Sequence, residues 1–306
     1  MRVPAIRCCV LSLVTGAAAL SSATSAAQAV GIYWTNTASD TIGHANLDGS
    51  GVNQSYIAAG DPFPAGIAID PAYVYWTTSS HTIARANLDG TGVNHSLVQL
   101  TNRLDNLQDV AVDSTYIYWT NYDTRTIGRA NLDGSGANNS FISTNGPPGL
   151  LTVDGSYIYW GNAGTNKIGR ASLDGTAVNQ SFITAARLPS GIAVDSKYIY
   201  WTNDTMQTIG RANLDGSGVN QSFISGISTY NQIGLTIDAG YLYWANYSAD
   251  TIGRVNVDGT GMIVDFITGA DNPVGVAVFS NVPEPGTGLL VIAGLVGMAS
   301  ARRMVH

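Results

Sequence analysis

Between residues 30 and 281 the apolar positions fall in short runs, divided by Asp-Gly, Pro and Asn, and never recur at helical spacing. One stretch shows the unit clearly. Gly191-Ile192-Ala193-Val194-Asp195, Tyr198-Ile199-Tyr200-Trp201-Thr202-Asn203, Thr208-Ile209-Gly210-Arg211-Ala212-Asn213-Leu214-Asp215-Gly216 and Val219-Asn220-Gln221-Ser222-Phe223-Ile224 read as four strands, a to d. Strand b alternates Tyr198 and Tyr200 with Ile199 and Trp201, so it is apolar on both faces and must be covered on both. Strand c places the small Gly210 and Ala212 on one face with Leu214, leaving room for an aromatic ring from strand b or the next unit. The Leu-Asp-Gly-Ser-Gly that follows supplies glycines for a c-d hairpin turn.

The pattern repeats six times. Trp34, Trp76, Trp119, Trp160, Trp201 and Trp244 are every tryptophan in the chain, spaced 42, 43, 41, 41 and 43 residues apart. Four strands per unit of this length make a β-propeller blade. The fold class is therefore all-β, a six-bladed β-propeller with four antiparallel strands per blade. The repeat region opens at a strand b (Gly31 to Trp34) and ends at a strand a (Val274 to Phe279), so the C-terminal strand is expected to complete the N-terminal blade and leave no open edge.

The two ends differ from this middle. Residues 1–29 read as a signal peptide: Arg2 and Arg7, an apolar stretch from Val10 to Leu20, and Ala27-Gln28-Ala29 as a cleavage site. The only cysteines, Cys8 and Cys9, lie in that segment, so the exported domain has no disulfide. Residues 282–306 carry Pro283-Glu284-Pro285, an apolar run from Gly286 to Ala301, then Arg302 and Arg303. This order resembles the PEP-CTERM sorting signal of Gram-negative exosortase systems. The resemblance implies export, transient inner-membrane insertion of the C-terminal helix, an exosortase-type processing enzyme as a partner, and a final place at the cell surface or outside it. Charge follows the same division: residues 30–281 hold 10 Lys and Arg against 20 Asp and no Glu, a net charge of -10. A domain this acidic does not bind nucleic acid by general electrostatics.

Tyr200-Trp201-Thr202-Asn203, with Ile-Ala-Val-Asp before it and Ile-Gly-Arg-Ala-Asn-Leu-Asp-Gly after, resembles the YWTD repeats (class B repeats) of low-density lipoprotein receptors, which are six-bladed propellers. The resemblance covers the whole of residues 30–281. It departs at the fourth motif position, where Asn36, Asn121, Asn162, Asn203 and Asn246 replace Asp and Thr78 stands in the second unit. A second resemblance, to streptogramin lyase-type propellers, implies a His and Glu pair with a divalent metal, and gluconolactonase-type propellers bind metal through a Glu, Asp and Asn set. This middle region has no Glu, and His44, His81 and His95 fall at different repeat positions.

Arg85, Arg129, Arg170, Arg211 and Arg254, with His44 as sixth member, form a ring on strand c. The preferred reading is an Arg-Asp pairing repeated in every blade, with Asp70, Asp113, Asp154, Asp195 or Asp238 as partner, rather than an anion site. The Asn-Leu-Asp-Gly-Ser-Gly turns could be read as calcium loops, but each offers one carboxylate where calcium takes six or more oxygens, so no cofactor is expected. Asn53, Asn94, Asn138, Asn179 and Asn220 each begin an Asn-x-Ser triplet, read as polar residues of an outer strand. There is no Ser-His-Asp set, phosphate loop or Cys/His metal spacing, and no catalytic residue is assigned.

Comparison of the six units with one another locates the remaining signal. The a-b and c-d turns repeat almost verbatim, whereas the d-a and b-c connections vary, and strand geometry puts both variable sets on one rim. Phe63, Arg103, Tyr122, Arg125, Arg187, Tyr230 and Tyr247 are the candidate ligand-binding residues there. The expectation is an exported, non-enzymatic binding module for a protein or polysaccharide partner. A metal-dependent hydrolase or lyase with a channel site, and a purely structural matrix protein, are the alternatives.

Overall fold

Tyr-Ile-Tyr-Trp favours extended backbone because β-branched and aromatic side chains pack well on a pleated surface. The computed structural model describes residues 30–100, 106–184, 186–227 and 234–280, and each Trp-bearing segment in it is the second strand of a four-stranded antiparallel sheet. Six such sheets form the ring of a β-propeller, with 24 strands and, among the described residues, one short 3-10 turn, Ala163–Thr165. In blade 5, strands a to d are Pro189–Val194, Tyr198–Asn203, Thr208–Asn213 and Asn220–Ser225.

Packing explains the motif. Trp201 pairs with Gly210, and a Cβ on that glycine would run into the indole. The same holds for Gly43, Gly128, Gly169 and Gly253 under their tryptophans. All six tryptophans are 0% exposed. The core is divided among the interfaces: Tyr200, Ile209 and Ile224 of blade 5 pack against Leu242, Trp244 and Val255 of blade 6. Burying about 150–250 Å² per tryptophan at about 25 cal/mol/Å² contributes about 4–6 kcal/mol each before chain entropy is counted.

Every blade bends at a bulge between strands c and d, and four of the six at a second one between a and b, and the polar letters of the motif fill them. At the inner bulge of blade 5, the Thr202 hydroxyl accepts from Gly191 N at 2.8 Å. At the outer bulge, the Asn203 amide donates to Gln221 O at 2.9 Å and to the Thr208 hydroxyl at 3.2 Å, and Thr208 donates to the same carbonyl at 2.7 Å. Asn36 and Asn246 repeat this arrangement. In these three blades the fourth motif position is thus a donor, and a carboxylate could not make these bonds, whereas the buried Asn162 of the fourth unit makes none. The outer-strand Asn of the Asn-x-Ser triplets is also local structure: Asn220 Oδ1 accepts from Ser222 N at 3.1 Å.

Blade 1 closes the ring as its sequence requires. Its strands are ordered Pro273–Phe279, Gly31–Asn36, Thr41–Ala45 and Asn53–Ala58, and Gly31 pairs with Phe279.

The expected Arg-Asp pairing is corrected. Asp154 spends one carboxylate oxygen on Ser156 N and Tyr157 N, both at 2.7 Å, closing the a-b turn, and the other on the Tyr159 hydroxyl at 2.9 Å. Asp70, Asp113 and Asp195 do the same. The Arg170 guanidinium instead lies over the rings of Tyr157 and Phe182, 4.2 and 3.9 Å from their centroids, and donates to Leu214 O in the next blade at 3.2 Å. Arg85 and Arg129 reach Leu132 O and Leu173 O likewise. The Tyr159 hydroxyl donates to Asp154 and lies close enough to Arg170 to feel its charge. An Arg stacked on aromatics keeps its charge at lower desolvation cost than a buried ion pair.

Candidate binding rim and axial channel

The d-a and b-c connections do share a rim, tied by hydrogen bonds. Asp40 in the b-c turn of blade 1 accepts from Phe63 N at 2.8 Å in the connection to blade 2. Asn166 accepts from Leu188 N and Asp250 from Asn272 N, each at 3.0 Å. The opposite rim holds the a-b and c-d turns.

The rims treat left-handed backbone differently. Among the c-d turns twelve positions have positive φ, and eleven are glycine, from Gly49 to Gly261, with Ala177 the exception. The b-c turns have one such position each, and none is glycine: Asp40, His81, Arg125, Asn166, Gln207 and Asp250, with φ from 53° to 64°. Three of these are the Asp and Asn caps just described. Asn and Asp tolerate this region best, whereas a side chain such as Arg or Gln costs on the order of 1 kcal/mol there. In the d-a connections Phe63, Leu188 and Asn272 add three more such positions, at φ 56°, 48° and 50°, beside left-handed Gly60, Gly226 and Gly269.

The sequence candidates sit on this rim without converging on one pocket. Phe63 is 62% exposed, between Pro62 and Pro64. Tyr122 is half-buried and donates its backbone N–H to Asn106 O at 2.9 Å. Arg125 is exposed, and its carbonyl accepts from the Thr144 N–H and hydroxyl. Arg187 is exposed, its backbone held by Asn203 Oδ1 at 2.9 Å. Tyr247 is half-buried against the core of blades 5 and 6. Arg103 and Tyr230 lie outside the described residues, as do the signal segment and Pro283, Glu284, Pro285, Arg302 and Arg303 of the tail. Sequence reading missed Leu188 and Met206, both 41% exposed on this rim. The available signal was a large apolar residue in a loop of Asp, Thr and Ser.

A second feature lies on the axis. The six inner strands surround a cavity of about 170 Å³, walled by Ile67, Val110, Leu150, Leu151, Leu235 and Val276 among others. Asp109 is the charged side chain in that wall. The other blades carry Gly66, Leu150, Gly191, Gly234 and Gly275 at its repeat position, a contrast that comparison of the units could have found. Asp109 is 8% exposed, and its Oδ2 accepts from Leu151 N at 2.9 Å. Burial pushes its carboxyl up to about 7, opposed only by the Leu151 and Val110 backbone N–H groups. On the c-d turns the reverse holds: Ser or Thr donors keep Asp48, Asp89, Asp133, Asp174, Asp215 and Asp258 below the usual carboxylate range. Among the described residues no group of three or more His, Cys, Asp or Glu could hold a metal ion.

No family model matches the chain, and no curated protein does. Solved structures do. A chain of the nidogen/laminin complex superposes with a TM-score of 0.68 at 18% identity, covering 81% of this chain and 98% of that one. The virginiamycin B lyase of Staphylococcus aureus matches at 0.54 and 20%, covering 69% and 73%. A gluconolactonase of Xanthomonas campestris matches at 0.56 and 18%, covering 69% and 78%. At these identities the likeness is one of fold, and the fold is the six-bladed β-propeller.

Proposed function

We propose that the chain is an exported, non-enzymatic binding propeller that offers its variable rim to a protein or polysaccharide partner at the cell surface or in the extracellular matrix. The observation that carries this reading is the contrast between the rims. At the c-d turns glycine supplies eleven of the twelve left-handed positions; at the b-c turns six side chains occupy such backbone instead, beside an exposed Phe63. Asp40, Asn166 and Asp250 are caps there, which leaves Arg125 and Gln207 as strained positions whose side chains matter. The similar structures include a propeller from a complex and two enzymes, so fold alone does not decide function.

Binding to a glycan array and to surface proteins, compared between wild type and a Tyr122→Ala/Tyr230→Ala variant, tests the reading. Saturable binding that the variant loses at unchanged thermal stability supports it; equal binding by both sinks the rim assignment. The sorting part is separate. Mass spectrometry of the exported protein is expected to show a start near Val30 and loss of the tail, and a terminus still at His306 would defeat it.

The channel carboxylate favours a second reading, a metal-dependent hydrolase or lyase. Metal analysis after chelation and reconstitution separates the two: stoichiometric Ca²⁺ or Mg²⁺ whose uptake requires Asp109 would revive the enzyme.

A further inference from the structure

The six indole N–H groups form an internal series, because every tryptophan is fully buried and each donor must find a partner inside the protein. Four do so directly. Trp34 donates to Gln54 Oε1 at 3.1 Å, Trp76 to Ala59 O at 3.2 Å, Trp201 to Asn203 Oδ1 at 3.1 Å and Trp244 to Asn246 Oδ1 at 2.8 Å. Among the described residues, Trp119 Nε1 and Trp160 Nε1 have no acceptor, and neither amide atom of the equally buried Asn162 has a partner. Trp160 and Asn162 stand two residues apart on one face of their strand, as Trp201 and Asn203 do in blade 5. Blade 4 therefore gathers three unsatisfied polar atoms at its outer bulge.

Substitutions explain why. Lys167 pairs with Asn162 where the other five blades have threonine, and its amine is drawn away to Ser181 Oγ at 3.0 Å. The hydroxyl that receives the Asn203 amide in blade 5 has no counterpart here. Gln180 stands at the position of Gln221, whose Oε1 also receives Trp201. It spends both ends of its amide on the preceding blade and its outgoing loop, donating to Ser143 O at 2.8 Å and accepting from Asn145 N at 3.3 Å. In blade 3 the same position is Asn139, one methylene shorter than the glutamine of blades 1, 4 and 5.

The atoms left over define their ligand. Two donors and one acceptor, none of them charged, ask for a small neutral molecule that both accepts and donates. Water does this with about two to four hydrogen bonds. The bulge, where strand d leaves the strand-c register between Ile168 and Arg170, is where it sits.

We propose that the outer bulges of blades 3 and 4 each enclose a water molecule. The one in blade 4 receives the Trp160 N–H and bonds to the Asn162 amide, in place of the threonine hydroxyl and glutamine of blade 5. The proposal stands whether or not the rim has a partner.

The test reads contacts between water and the six indole Hε1 protons of the nitrogen-15-labelled full chain, in a rotating-frame experiment whose sign separates dipolar contact from proton exchange. Cross-peaks to water are expected at Trp119 and Trp160 and not at Trp201 or Trp244. No cross-peak at Trp160, or equal ones at all six, overturns the proposal. Two variants restore what other blades have. Asn139→Gln should remove the Trp119 cross-peak and leave that of Trp160, and Lys167→Thr should do the reverse by letting Asn162 adopt the Asn203 arrangement. A cross-peak that survives its own substitution, in a variant with an unchanged melting transition, overturns that site.

Discussion

In blade 4 the carbonyl of Leu214, reaching in from the next blade, receives the Arg170 guanidinium, which lies over Tyr157 and Phe182 near the Tyr159 hydroxyl that donates to Asp154. In blade 1 the corresponding carbonyl, Leu88 O, receives two phenols instead, Tyr33 at 2.8 Å and Tyr56 at 3.0 Å. Every other member of the set has changed with it. Phe279 stands for the aspartate, Gly31 for the first tyrosine, His44 for the arginine and Tyr56 for the phenylalanine. The His44 ring stacks on Tyr56 at 4.6 Å and fills the space above Gly31. Both charges are gone together. The relay is therefore a unit: an arginine without its aspartate, or the reverse, leaves a charge half-buried at an interface. The closing blade, assembled from the two ends of the domain, uses the uncharged version.

The difference can be tested from its largest consequence downward. Ending the chain at Asn272 removes the closing strand and exposes the partners of Val276 and Ala277. Compared with a chain ended at Ser280, it should lose its cooperative thermal transition by circular dichroism, a cost comparable to the roughly 5–15 kcal/mol that holds a whole domain. Next, Arg170→Met removes a charged hydrogen bond and two ring contacts and should cost about 2–4 kcal/mol in urea unfolding. His44→Leu removes an imidazole whose Nε2 is buried without a partner, and should cost no more than about 1 kcal/mol. Equal costs would mean that blade 1 is not a distinct solution.

Transplanting the relay sharpens the point. His44→Arg alone should destabilise by about 1–2 kcal/mol, and adding Phe279→Asp, Tyr56→Phe and Gly31→Tyr should recover at least 1 kcal/mol through coupling; strict additivity would argue against a unit. The closing blade should also be the acid-sensitive one. Burial lowers the His44 pKa below its ordinary value, so the neutral ring is favoured in the fold. Its contribution is intact above about 6.5 and is lost as pH falls through the lowered value. His44→Gln should flatten that limb in melting temperature against pH. Asp109, raised to about 7, acts oppositely over the same range, and its effect cancels when variant and wild type are subtracted. Smallest of all, Phe63→Gly relieves a left-handed phenylalanine and should change stability by less than about 0.5 kcal/mol, while lowering binding at the rim.

The strands, the blade count and the closure were legible in the sequence because each follows from a local period, a Trp every forty-odd residues and an unmatched strand at either end. The small residue beneath each tryptophan, glycine in five blades and Ala84 under Trp76, was legible for the same reason. The Arg ring was visible as a ring, but its partners were misread. Sequence pairs charge with charge, whereas the geometry puts Tyr159 between Arg170 and Asp154 and a carbonyl of another blade within reach. The role of Asn203 was hidden because the bulge that presents Gln221 O to it has no letter of its own. Asp109 was missed since attention to repeated residues passes over the position where a repeat is broken inside a strand. The rim candidates came from variation among loops, and it is their backbone that singles out Phe63 and Arg125.

The pairing of Gly31 with Phe279 fixes more than the closure. Both residues stand at the same end of their strands, on the rim of invariant turns, so the two ends of the propeller leave side by side from that face. Whatever holds the domain by either end grips the face where all blades are alike, and the opposite rim, with Phe63 and the channel mouth, is turned outward. A label or surface attached through either end would leave that outward face uncovered, and one attached through the rim loops would hide it.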